Sequence, residues 1–299
     1  MHPDLNAFVG RCADVRNEHP PVSRVFQDSL QRLGWSADTL DAWRTMPAEA
    51  VAKAGAQARL FRTALAVAER VENDTQAAYH NRDHTAEAVL AAETLMANEP
   101  LSAAARMNQG LRLLAAMVAH DVGHTGAFGT PKGSLEEASA HVFEQEWKAL
   151  GPVLDRTNEN DVVRSIILGT EFSEGPRNNA ARFAQSPASL LPRLHVLAND
   201  ADVLASVLPE TGPERGRLLA REWQEAGPAA AGPAAAVGSW AGRLGFLKVV
   251  TMASDSARAL GVGALRQAEI EAIEAITPQV LAAMPAAQAE ALVRERLMP

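Results

Sequence analysis

Half of the eight histidines in this 299-residue chain fall in two short segments, His80 to His84 and His120 to His124. In each segment the two rings are four residues apart, a spacing that on a helix puts both on one face. The second segment opens with an adjacent pair, His120-Asp121, at the end of an apolar run from Leu111 to Val118. An imidazole and a carboxylate at the end of a buried helix are costly unless they are paired or bound to metal. Imidazole nitrogen and carboxylate oxygen are ordinary ligands of Zn, Fe and Mn, and an Asp can bridge two ions through its two oxygens. His120 and Asp121 are therefore the expected centre of a metal site.

A further acid should come from a later helix. Asp200 and Asp202 are the candidates, in Leu197-Ala198-Asn199-Asp200-Ala201-Asp202-Val203-Leu204. Two positions on a helix are separated by about 200° of rotation, so only one of them can face the site. Asp202, followed by apolar residues, reads as the more buried and is favoured. Asp200 is then an acid behind the ligands or on the helix surface. Two His and two Asp leave coordination positions open for water, which marks a catalytic site. A bridging Asp121 allows a second, harder ion nearby, and two such ions suit in-line displacement at phosphorus.

The elements that position these groups read as helices. Ala, Leu, Glu and Arg dominate, and no strand-like alternation of useful length appears. Helices are expected over 4–17, 22–33, 39–44, 48–72, 84–97 and 101–119. Further ones are expected over 134–150, 161–168, 191–208, 214–225, 240–260 and 265–298, the last interrupted at Pro278. Gly175-Pro176 reads as a break, and the Ala, Gly and Pro of 226–238 as a mobile loop. The expectation is one all-α, multi-helix domain. Residues 1–75 form its N-terminal helical part, 76–260 hold the site, and 261–299 close it with C-terminal helices.

Composition narrows the function. A 47% hydrophobic fraction suits a globular protein with a sizeable core. A net charge of −8 with no long basic run argues against a nucleic-acid partner. One cysteine, Cys12, excludes an internal disulfide and fits a reducing compartment. No signal-peptide pattern or membrane-spanning run is seen, so a soluble, cytoplasmic protein with no membrane partner is expected. A dimer is compatible with the sequence, and no regulatory domain fits in the first 75 residues.

The spacing resembles a known pattern. His84, His120-Asp121 and a distal Asp follow the H…HD…D order of HD-domain metal-dependent phosphohydrolases. More narrowly, the chain resembles the catalytic domain of class I cyclic-nucleotide phosphodiesterases. Tyr79-His80-Asn81-Arg82-Asp83-His84 is similar to that family's YHNxxH, and His120-Asp121-Val122-Gly123-His124-Thr125-Gly126 to its HDxxHxG. Weaker echoes follow in order: Ser134-Leu135-Glu136, Ile167-Leu168-Gly169-Thr170-Glu171-Phe172-Ser173, Ala201-Asp202-Val203 and Leu244-Gly245-Phe246.

The resemblance implies a set of roles. His84, His120, Asp121 and Asp202 hold Zn or Fe, and Asp121 bridges to Mg or Mn. His80 is the general acid, oriented by Glu136. His124 and Glu171 hold metal-bound waters. Tyr79, Arg243 and Phe246 line the substrate site, Phe246 stacking on the base. Without the resemblance, Phe246 reads equally well as core, Glu136 as an acid opposing a helix dipole, and His141 and His195 as structural or surface.

Three departures bear on the substrate. Gly129 stands where the signature ends in Asn, the loop after it is short, and Arg243 aligns with the family's base-reading glutamine. Arg offers only donors, which suits the O6/N7 edge of guanine or an extra anionic group. The implied activity is hydrolysis of a 3′,5′-cyclic nucleotide with a preference for cGMP over cAMP. Hydrolysis of another nucleotide or phosphoester is the first alternative. An idle binding module and a di-iron oxygenase are remoter ones.

Overall fold

The computed structural model describes residues 1–74, 77–124, 126, 129–151 and 158–297. Thr125 of the second histidine segment and Met298 of the last expected helix lie outside the described residues. Eighteen α-helices and one short 3-10 turn carry the described residues, and no strand forms among them. This is the all-α, single-domain fold that the composition calls for.

The N-terminal helices are α1 (Pro3–Glu18), α2 (Val22–Arg32), α3 (Ala37–Thr45), α4 (Ala48–Ala54) and α5 (Ala56–Asp74). The expected single helix over 48–72 is two helices, because Gly55 sits at φ +98°, a conformation that ends α4 and that glycine adopts without strain. Then come α6 (Arg82–Ala97), α7 (Ala103–Ala119), α8 (Ser134–Ala149) and α9 (Glu159–Leu168). Next is α10 (Gly175–Gln185), where the sequence reads as a break. Pro176 lies in the first turn of that helix, where its missing N–H removes no helical bond.

Leu190–Val207 is α11 and Gly212–Glu225 is α12. The segment expected to be a mobile loop is also helical: a 3-10 turn, Pro228–Ala230, runs into α13 (Ala231–Val237). Its Gly and Pro residues occupy boundaries and a first turn, and alanine fills the rest. The expected 240–260 helix divides into α14 (Trp240–Val249) and α15 (Asp255–Ala259). The C-terminal helices are α16 (Val262–Ile276), α17 (Pro278–Ala282) and α18 (Ala286–Leu297).

The centre of the fold is α6, packed against α1, α2, α7 and α11. Its residues His84 to Met96 are all buried, as expected for a helix apolar on every side. The two acids on it are paired. Glu93 accepts from Arg32 Nε at 2.9 Å, and Glu87 lies between Arg16 and Arg215. One continuous core runs from Leu5 to Val262. A smaller core gathers Leu247, Ile270, Ile273, Leu281 and Val293 from α14 and α16–α18. Phe246 packs against both. No described helix is long and apolar enough to cross a membrane.

Candidate metal centre

Two helix ends deliver the histidines. The Asn81 side chain accepts from the backbone N–H of Asp83 and His84, at 2.9 and 3.1 Å, and starts α6 there. His84 is thus inside the helix and His80 outside it. His120 caps the C-terminus of α7, and the chain turns directly afterwards, with His124 N–H donating to Asp121 O at 2.8 Å. The four-residue spacing therefore does not put either pair on one helical face, since each pair straddles a helix end. The turn is held against α8 at Gly123. A Cβ there would lie 2.6 Å from Ser139 N, and Gly123 N–H donates to Ser139 Oγ at 3.0 Å.

Four side chains converge. His84 Nε2 lies 3.1 Å from Asp121 Oδ2 and 3.2 Å from Asp202 Oδ1. His120 Nε2 lies 3.1 and 3.4 Å from the same two atoms, and 3.3 Å from His84 Nε2. At a metal–ligand bond of about 2.1 Å, neighbouring ligands stand roughly 3.0 Å apart in an octahedron and 3.4 Å in a tetrahedron. The donors are spaced as the edges of such a polyhedron. His120 Nδ1–H donates to Met117 O at 2.8 Å, which fixes the ring and leaves Nε2 for the cation. The residues therefore fit a divalent metal.

The electrostatics agree. Burial would lower the two imidazoles, yet the Asp121 and Asp202 carboxylates outweigh it, holding His84 up at about 9 and His120 well above its ordinary value. Burial would likewise raise the two acids, and the imidazoles hold Asp121 well below the carboxylate range and Asp202 at about 2. Without a cation the four groups neutralise one another. A bound cation takes over the positive charge and displaces protons.

Asp202, not Asp200, joins this group. The burial argument runs the other way round, however. Asp200 is 1% exposed and the Asp202 side chain 21%. Asp200 accepts the backbone N–H of Ala253 and Ser254, at 3.1 and 2.9 Å, across the break between α14 and α15. Burial pushes its carboxyl up to about 6 against those bonds.

His80 stands beside the four. Its Nδ1 donates to Glu222 Oε1 at 2.5 Å, and the N–H groups of Tyr79 and His80 donate to Glu222 Oε2 at 2.8 and 2.9 Å. Its carboxylate partner is thus Glu222 of α12, which corrects the expected Glu136. Glu136 lies at the start of α8. Burial raises its pKa, and the Asp121, Glu171 and Asp202 carboxylates add to that. Glu222 was not legible as functional. The available signal was a charged residue seven after Arg215 on the buried face of an amphipathic helix.

His124 stacks on His80, ring centroids 3.6 Å apart and planes 16° apart. Burial lowers it to about 4, and its Nδ1 has no hydrogen-bond partner. His80, Asp121 and His124 form a second group of mutually close donor atoms that shares Asp121 with the first. Glu171 caps a turn, accepting from Ser173 N at 2.9 Å and Glu174 N at 3.2 Å, 3.8 Å from Lys132 Nζ. Burial opposes these contacts, which nevertheless lower its pKa.

Above the cluster opens a cavity of about 620 Å³ lined by Tyr79, His80, His124, Asp202, Arg243 and Phe246 among others. Tyr79 Oη is 3.1 Å from Ser206 Oγ, and burial raises its pKa. Arg243 is placed at this cavity, but its nitrogens are engaged elsewhere. Nε and Nη2 donate to Glu269 at 2.9 and 2.6 Å, Nη2 also to Val207 O at 3.1 Å, and Nη1 to Ser206 O. Gly212 makes room for it, since a Cβ there would collide with the guanidinium. Arg243 is thus a staple between α11, α14 and α16, which removes the expected basis for a guanine preference. Sequence reasoning also missed Phe172, Trp223 and Trp240 on the cavity wall.

Among known proteins, no family model matches the chain and no curated protein matches it. Fold and site together define an all-α protein with a buried His/Asp group that can hold a metal ion.

Proposed function

We propose that the protein is a metal-dependent phosphohydrolase, and within that class a dinuclear phosphodiesterase that opens a 3′,5′-cyclic nucleotide to the 5′-monophosphate. The observation that carries this reading is the convergence of His84, His120, Asp121 and Asp202 on one point, beside a histidine, His80, clamped by its own carboxylate. The resemblance of the two histidine motifs to HD-type phosphodiesterases points the same way.

When bound, divalent ions supply a lowered pKa for water and neutralise charge developing at phosphorus. Zn or Fe suits the mixed imidazole and carboxylate group of His84, His120, Asp121 and Asp202, and the resemblance implies Mg or Mn at a second position beside Asp121. The chain does the rest. His80, with Nδ1–H committed to Glu222, has Nε2 left to protonate the departing 3′ oxygen. Glu222 fixes that ring and the Tyr79–His80 backbone at once. Glu136 adds a carboxyl close enough to Asp121 and Asp202 to feel their charge, which favours cations there. The apolar cavity receives the base and excludes water.

A second reading, hydrolysis of another nucleotide or phosphoester at the same centre, is favoured by one observation: Arg243 is closed to the substrate. The test is metal-free protein reconstituted with Mn, Mg, Zn or Fe and given cAMP and cGMP. Metal-dependent release of 5′-nucleotide is expected. Bound metal with no turnover of either would move the substrate to the second reading, and failure to bind metal would end both.

A further inference from the structure

A second cavity, of about 390 Å³, opens between α9, α10 and α11 and shares no lining residue with the one above the metal centre. Arg164 and Ser165 come to it from α9, Asn179 and Arg182 from α10, and His195 from α11. Its most buried lining is polar: His195 is 7% exposed and Asn179 3%. His195 Nε2 lies 3.0 Å from Ser165 Oγ. Asn179 Nδ2 donates to Gly169 O at 3.0 Å and to Asn199 Oδ1 at 2.8 Å, which ties α10 to α11 and to the end of α9. Glycine at 169 keeps this corner uncrowded. A Cβ there would stand 3.3 Å from both Asn179 Nδ2 and His195 Cδ2, closer than the ordinary contact of about 3.5–4 Å.

The charges on this wall are unequally answered. Arg164 Nη2 donates to Glu137 Oε2 at 2.6 Å. Asp161 lies in the first turn of α9, where the helix dipole favours an acid. Arg182 lines the cavity too, and among the described residues no acceptor takes its guanidinium. Burial and, after it, the Arg182 charge hold the His195 ring neutral. A guanidinium left open beside a concave polar wall suits a carboxylate or a phosphate, either of which accepts two parallel N–H bonds from it.

We infer that this cavity binds a small oxyanion ligand, its carboxylate or phosphate on the Arg182 guanidinium and its remainder against Ser165 and His195. The hydroxyl and the imidazole supply further polar contacts, and the volume lies within the range of small-molecule sites. His195 and Asp202 are seven residues apart on α11, about 10 Å along its axis. The site is therefore separate from the metal centre, and its test does not depend on what that centre hydrolyses.

The test follows the histidine rings by NMR in full-length protein labelled at histidine and reconstituted with diamagnetic Zn. Inorganic phosphate and malonate are the probes, titrated at an ionic strength held constant with NaCl. Saturable movement of the His195 signal, assigned by its loss in His195→Gln, is expected with at least one probe. The tighter of the two gives the ligand's head group. Arg182→Ala should weaken the response about tenfold or more, the scale of hydrogen bonds to a charged group, and Arg182→Lys should keep part of it. Arg182 is exposed, so both variants should fold. The inference is overturned if neither probe moves His195, or if Arg182→Ala responds as strongly as the unaltered protein. Movement of His84 and His120 alone, unaffected by Arg182→Ala, is binding at the metal centre and likewise overturns it.

Discussion

Two clusters of buried charge lie within reach of the same cavity, and they are built to opposite ends. Around Arg243 every charge has a fixed answer inside the protein: Glu269 takes two nitrogens and the C-terminal carbonyls of α11 take the rest. Around Asp121 the charges answer only one another. Two imidazoles and two carboxylates crowd within 4.8 Å, and their oxygens have lone pairs to spare. Buried ions whose hydrogen bonds go to backbone hold structure together. Buried ions whose donor atoms converge on one point can hold a cation there. Residue types do not separate the two cases, because both combine cationic side chains with acids. What separates them is where the remaining hydrogen bonds go.

The sharpest way to break the comparison is to remove a converging group. His84→Ala and Asp121→Ala should each lose bound metal, read by elemental analysis after reconstitution, and with it all metal-dependent hydrolysis. Full metal content in both variants would remove the site. One step smaller, His80→Ala should keep its metal and lose turnover by roughly 10²-fold, the usual scale for a general acid. Glu222→Gln should also keep metal and lower kcat by about 10-fold, with KM little changed and Glu222→Asp recovering part of the loss. Wild-type kcat in Glu222→Gln would mean that the clamp on His80 is structural only.

The same contrast explains what could be read from the sequence. The four converging residues were legible because their types and order are rare together. That only one of Asp200 and Asp202 is among them was legible, because two positions on a helix face opposite ways; which one was not, because the more buried acid is Asp200, held by the backbone before α15. The partner of His80 was not, because Glu222 comes from a helix 142 residues later and Glu136 had equal chemical standing. Arg243 misled for the same reason: nothing local shows that Glu269, 26 residues on, consumes it. In the fold, helix existence was legible from composition and periodicity, while boundaries at Gly55, Pro176 and 226–238 were not. There, residues that usually break helices occupy ends and first turns.

Arg243 offers the converse test. Arg243→Gln leaves Glu269 buried without its cation, and breaking such a pair costs about 3–5 kcal/mol. A clear fall in urea midpoint is expected, with the ratio of AMP to GMP binding unchanged. The double variant Arg243→Met with Glu269→Leu should recover most of that stability, since removing both charges leaves neither one stranded. A selectivity change in Arg243→Gln at wild-type stability would return this residue to the substrate.

The smallest effect concerns a histidine outside both clusters. His195 is buried in α11, with Nε2 at 3.0 Å from Ser165 Oγ. Burial, and then the Arg182 guanidinium, lowers it from 6.5 to about 4. The folded chain therefore keeps this ring neutral where the unfolded chain protonates it. The unfolded state binds more protons between those values, so stability is complete above pH 6.5 and falls as pH drops towards 4. The full loss from this one group is at most about 3 kcal/mol. His195→Gln should flatten the curve by up to that amount when urea unfolding is compared at neutral and mildly acidic pH. Every other titrating group is common to the two proteins, so the difference between their slopes isolates the ring. Parallel slopes would mean that His195 takes up its proton in the folded state as readily as in the unfolded chain, and that Arg182 and burial exert no net hold on it.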